Sequence, residues 1–136
     1  MKKSALLGKL EYFTMVHGVT VRAIETFSDE AARDGQFTGE AAERSKPETE
    51  AGKRVIAGVK TAAALSAFAE QCHRAAEAIW RAMPEEHVVR AVASPFGDLP
   101  AWKFFEFGYD EHWHHRGQLY TYLRLLGKEP PRLYDY

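Results

Sequence analysis

The sequence has almost no cysteine: Cys72 is the only one in 136 residues. That excludes an internal disulfide framework and any zinc site built on several thiolates, and it suits a reducing compartment. An excess of either charge is also missing. Eighteen Lys and Arg stand against 19 Asp and Glu, for a formal net charge of -1. A nucleic-acid module would instead carry a basic face to neutralise phosphates. No apolar run approaches the ~20 residues of a membrane span. The opening Met1-Lys2-Lys3 is basic, but the apolar stretch behind it is too short for the core of a signal peptide and merges into a helical pattern. What is present is a chain with 46% hydrophobic residues, enough at this length to bury a single core. These points predict one soluble, cytoplasmic domain over residues 1–136.

Helical periodicity dominates. From Ser4 to about Phe27, Leu6, Leu10, Phe13, Val16, Thr20, Ile24 and Phe27 fall on one stripe, with Lys9, Glu11, Arg22 and Glu25 off it. Ser28-Asp29-Glu30 reads as a cap that restarts a short helix to about Arg33, and Asp34-Gly35 stops it. Gly35 to Gly52 is polar and rich in breakers, with room for at most a short helix around Gly39–Ser45; it reads as a surface connection. The Ala-rich stretch from Glu50 to Met83 predicts a long helix bent near Gly58, with Leu65, Ala69, Cys72, Ala76, Ile79, Trp80 and Met83 on its buried face. Pro84 ends it. His87 to Val92 reads as an extended linker too short to make a sheet, leading to a turn at Ser94-Pro95-Phe96-Gly97. The last helix is expected from about Asp98 to Leu126, with Pro100 in its first turn and Gly127 at its end. The fold class is all-α: an antiparallel four-helix bundle whose second-helix region is shortened or irregular.

Three of the six histidines, His112, His114 and His115, lie within four residues. They cannot share one helix face, because each residue advances about 100°. A stripe through Phe104, Gly108, His115, Leu119, Tyr122 and Leu126 places His115 in the middle of the apolar face, buried. Glu111 and His112 then lie one turn earlier on its flanks. Spacings of i, i+4 and i, i+3 let two donors reach one metal ion, so Glu111 with His115, or His112 with His115, is a candidate metal pair. A third donor must come from another helix. His17, on the apolar stripe of the first helix, is the first choice and His73 the second. Trp102, Trp113 and Tyr120 project onto a different stripe, which predicts a homodimer interface.

Asp110-Glu111-His112-Trp113-His114-His115-Arg116-Gly117-Gln118-Leu119-Tyr120-Thr121-Tyr122-Leu123-Arg124, followed by Leu126-Gly127-Lys128-Glu129-Pro130-Pro131, resembles the C-terminal signature of the DinB-like (YfiT-related) superfamily. Ser94-Pro95-Phe96-Gly97 and the Ala-rich helix are similar to it as well. The resemblance implies a four-helix bundle, commonly dimeric, that binds a divalent metal (nickel or zinc) through three histidines. In some members it implies a metal-dependent transferase acting with low-molecular-weight thiols. The implied ligand positions on the last helix are His115 and Glu111, the latter a carboxylate where the family has a histidine. The family's second-helix histidine has no counterpart between Gln36 and Lys46, which turns attention to His17 or His73.

Two functions follow as expectations. One is a metal-dependent transferase or hydrolase, with Asp110, His112 or Tyr122 orienting a small-molecule or thiol substrate. The other is a non-catalytic dimeric bundle that serves as a binding or stress-related module. Neither involves nucleic acid or membrane.

Overall fold

In the computed structural model, residues 1–28 and 58–134 are described. Among them four helices occur: α1 (Lys3–Glu25), α2 (Ala62–Ala82), α3 (Glu85–Val88) and α4 (Ala101–Leu125). β1 (Ala91–Val92) and β2 (Leu99–Pro100) add a two-residue antiparallel ladder that pairs Ala91 with Pro100 and Val92 with Leu99. The chain expected as an extended linker therefore folds into α3 and β1. The ladder forms because the Ser94–Gly97 turn brings its two ends together: Gly97 N–H donates to Ser94 O (3.0 Å), and Gly97 takes φ +93°. No described helix is long and apolar enough to cross a membrane.

α1 and α4 run parallel, and α2 runs against both. Low in the bundle, Lys9 bonds Glu106; high in it, Lys128 Nζ donates to Thr26 O at 2.5 Å. Ser66 near the start of α2 meets Glu25 near the end of α1, while Lys3 reaches Arg81 O at the far end of α2. The second half of α1 is buried on nearly every side (Val16, His17, Val19, Thr20, Val21, Ala23, Ile24), so α1 is the central helix.

The termini follow local chemistry. Thr61 caps α2, its side chain accepting from Ala64 N–H at 3.0 Å. The backbone is not helical at Val59 and Lys60, so the long bent helix expected there is interrupted just before the cap. α4 ends in a Schellman motif, with Lys128 N–H on Leu123 O (2.8 Å), Gly127 N–H on Arg124 O (3.0 Å) and Gly127 at φ +70°.

The core has two apolar layers. The upper one joins Val19, Ala23, Ile24 and Phe27 to Ala62, Leu119, Tyr120 and Leu123. The lower one joins Leu6 and Leu10 to Val88 and Phe105, with Phe13, Trp80, Met83 and Trp102 packed against it. Tyr120 thus serves the chain's own core and Trp102 packs against it, so the stripe expected at a dimer interface is not a continuous exposed surface. α2 buries less than its sequence promised. Cys72, Ala76 and Ile79 are exposed, because among the described residues α2 packs against its neighbours with only one narrow face. The short helix expected after Ser28, the connection around Gly35–Gly52 and the stretch before Gly58 lie outside the described residues.

Candidate functional site

Between the two apolar layers lies a polar one. Thr20, His17, His73, His112 and Arg116 meet here, from all three long helices. The His17 and His73 rings stack at 4.2 Å between centroids, 11° from parallel, and His112 lies 5.5 Å from His17. Phe13 sets an edge against both His73 (5.1 Å) and His112 (4.8 Å). Two α1 threonines hold the outer rings. Thr14 Oγ lies 3.1 Å from His73 Nε2, and Thr20 Oγ lies 2.9 Å from His112 Nε2. Thr14 Oγ also donates to Leu10 O (3.0 Å), so its hydroxyl proton is spent and His73 Nε2–H donates to it. His17 Nε2 is buried with no hydrogen-bond partner.

Burial decides the charge of this layer. Desolvation, followed by the neighbouring His73, pushes His17 down to about 4. Desolvation, followed by His17 and Arg116, pushes His112 down to about 3. Burial also lowers His73, against the pull of Glu77. All three imidazoles are therefore neutral at pH 7.

The positive charge belongs to Arg116, 1% exposed. Its guanidinium stacks on Trp113 at 4.0 Å and lies 5.9 Å from the Tyr120 ring, while Nη1 donates to Val16 O (3.4 Å). Flat guanidinium faces stack on aromatic rings and the stem is apolar, which lets this residue occupy a core position. Tyr120 is pushed up by burial.

Arg116 corrects the sequence projection. The inward stripe of α4 is Ala101, Phe105, Arg116, Leu119, Tyr120 and Leu123, about one residue's rotation from the expected stripe. His115 is therefore not buried: its side chain is 59% exposed. His115 Nε2 lies 3.4 Å from Glu111 Oε2, and its Nδ1 lies 2.9 Å from Gln118 Oε1. Of the expected donors, the structure brings Glu111 and His115 together at the protein's edge. It places His17 with His73 and His112, deeper in the bundle. The rotation that would favour His112 over Glu111 carries His112 inward to Thr20. Sequence reading missed Arg116, Thr14 and Thr20; the one available signal was that Thr20 falls on the apolar stripe of α1.

A cleft of about 470 Å³ joins these groups. Phe13, Trp80, Phe104 and Phe105 supply its walls, with His17, His73 and His112 among its polar lining and Glu77, Glu111, His115 and Cys72 also facing it.

Residues 35–136 match the model of the DinB family. The chain belongs to that family. The match spans well over half of the sequence and includes α2, α4 and most of the cleft lining. A search of the curated proteins finds no match. DinB membership raises the question of a metal. Among the described residues, no group of three or more His, Cys, Asp or Glu is arranged to hold an ion. An imidazole lone pair lies in the ring plane, so the stacked His17 and His73 rings cannot point at one ion between them. Nε2 of His73 and of His112 already faces a threonine. The Glu111–His115 pair differs: its 3.4 Å separation is close to the ~3.4 Å between two ligands of a tetrahedral ion with ~2.1 Å bonds. Two donors of the right spacing are present, without a third, so the described residues do not complete a metal site.

Proposed function

We propose that this DinB-family protein is a binding module that takes a small organic molecule in the cleft between α1, α2 and α4. The observation that carries this reading is the cleft's construction: about 470 Å³, aromatic walls and a few convergent polar groups. That is the size and make-up of small-molecule sites. The neutral imidazoles offer hydrogen bonds without the desolvation cost of a charge. Ligand-observed NMR with a set of small aromatic and aliphatic compounds tests it. Ala76 is exposed and lines the cleft, so Ala76→Trp should fill the cleft without disturbing the core and abolish the binding. Binding that survives in Ala76→Trp would put the ligand elsewhere.

A second reading, favoured by the Glu111–His115 spacing, is a divalent-metal-dependent transferase or hydrolase of the thiol-using kind. Glu111 and His115 would hold nickel or zinc, with His17 as the third donor after its ring leaves the stack. A bound ion would lower the pKa of a coordinated water or thiol. Metal analysis of untagged protein purified without chelator separates the two readings. Stoichiometric metal that is lost in both Glu111→Ala and His115→Ala supports the enzyme. Metal-free protein whose melting is unchanged by nickel or zinc leaves the binding module.

A further inference from the structure

We infer that the ligand of this cleft is a small organic cation, an ammonium group on an apolar body. The inference rests on the binding reading above and adds the ligand's charge. Among the described residues no lysine or arginine lines the cleft, whereas two carboxylates, Glu77 and Glu111, do. Both formal charges among the described lining residues are therefore negative, with Arg81 outside the lining offsetting part of one of them. Glu77 bonds Arg81, but Arg81 Nε (2.9 Å) and Nη2 (2.7 Å) both land on Oε1. Arg81 therefore leaves Oε2 unengaged. Glu111 Oε2 lies 3.4 Å from His115 Nε2, with the carboxylate side chain 69% exposed.

The walls suit the same ligand. Trp80 and Phe104 line the cleft, and aromatic rings attract an ammonium group placed over them within about 6 Å of the centroid. An independent feature points to a bound polar group: His17 is 9% exposed, lines the cleft, and leaves Nε2 without a partner. A buried imidazole nitrogen left in that state is costly. A ligand N–H or hydroxyl that displaces the His73 ring would satisfy it. Among the described lining residues an anionic ligand would meet two carboxylates and no lysine or arginine, and its desolvation would go uncompensated.

The experiment is calorimetric titration of the full chain, in buffer containing EDTA, with three near-isosteres: phenethylamine, 2-phenylethanol and phenylacetate. The amine should bind at least about fivefold tighter than the alcohol, and the acid more weakly than either, as one or two half-exposed charge pairs allow. Glu111→Gln and Glu77→Gln should each cut the amine's preference about two- to fivefold and leave the alcohol unchanged. Glu111 is exposed, so its variant tests the idea even if Glu77→Gln loosens α2. Phenylacetate binding as tightly as the amine, or a preference untouched in both variants, overturns the inference and leaves the cleft reading standing. If none of the three binds, the cleft reading falls and the inference with it. Amine binding that appears only without EDTA assigns the cation site to a metal and also overturns the inference.

Discussion

Lowering the pH from 7 to 5 should weaken the fold through His17 and His112. In the unfolded chain both rings take up protons near pH 6.5. In the folded chain burial, and then the neighbouring imidazole, holds them neutral until about pH 4 and about pH 3. As the pH falls the unfolded state therefore binds more protons than the folded one. Stability that is fully present above pH 6.5 is lost on the way down toward the folded values. At pH 5 each ring, taken alone, corresponds to about 2 kcal/mol. Solvent in the open cleft screens both charges, and the His17–His112 repulsion is one interaction shared by two rings. The pair together is then worth roughly 2–3 kcal/mol. With a urea dependence of ~1–3 kcal/mol per M, the midpoint should fall by about 1–2 M. Urea denaturation followed by circular dichroism at pH 7, 6 and 5 reads this directly, in a range where carboxylates with ordinary values of ~4 remain largely charged. His112→Leu should remove about half of the slope, and His17→Leu with His112→Leu most of it. A midpoint that does not move between pH 7 and 5, or a double variant with the wild-type slope, refutes the argument.

Leu123 is fully buried where the upper layer closes, so Leu123→Ala should cost about 2–5 kcal/mol in urea denaturation. Gly127→Ala should cost about 1 kcal/mol, because the position needs φ +70° to complete the Schellman motif; thermal melting would show it. Thr61→Ala should cost about 1 kcal/mol and fray the first turn of α2, visible as faster amide exchange at Ala64. The homodimer implied by the family resemblance predicts sedimentation at twice the chain mass, on a surface other than the Trp102–Tyr120 stripe; sedimentation at the single-chain mass would end that expectation.

The sequence by itself determined the elements whose causes are local. The stripe from Leu6 to Phe27 places α1 and its buried face, because 3.6-residue periodicity sorts side chains before any neighbour is known. Gly127 marks the end of α4, because only a glycine adopts that backbone without strain. The Asp110–Arg124 signature carried the family. Which residue of α4 faces inward was decided only in three dimensions. His115 and Arg116 are adjacent, so a rotation of one residue exchanges their environments, and by side-chain type the histidine looks like the better core residue. Arg116 wins because Trp113 and Tyr120 on its own helix and Val16 O on α1 receive its stem and its flat guanidinium. No periodicity records that arrangement. The same holds for His17, His73 and His112. They are 39 or more positions apart in the chain, and they meet because α1, α2 and α4 cross at one level of the bundle. Their neutrality follows from burial that exists only after the helices pack.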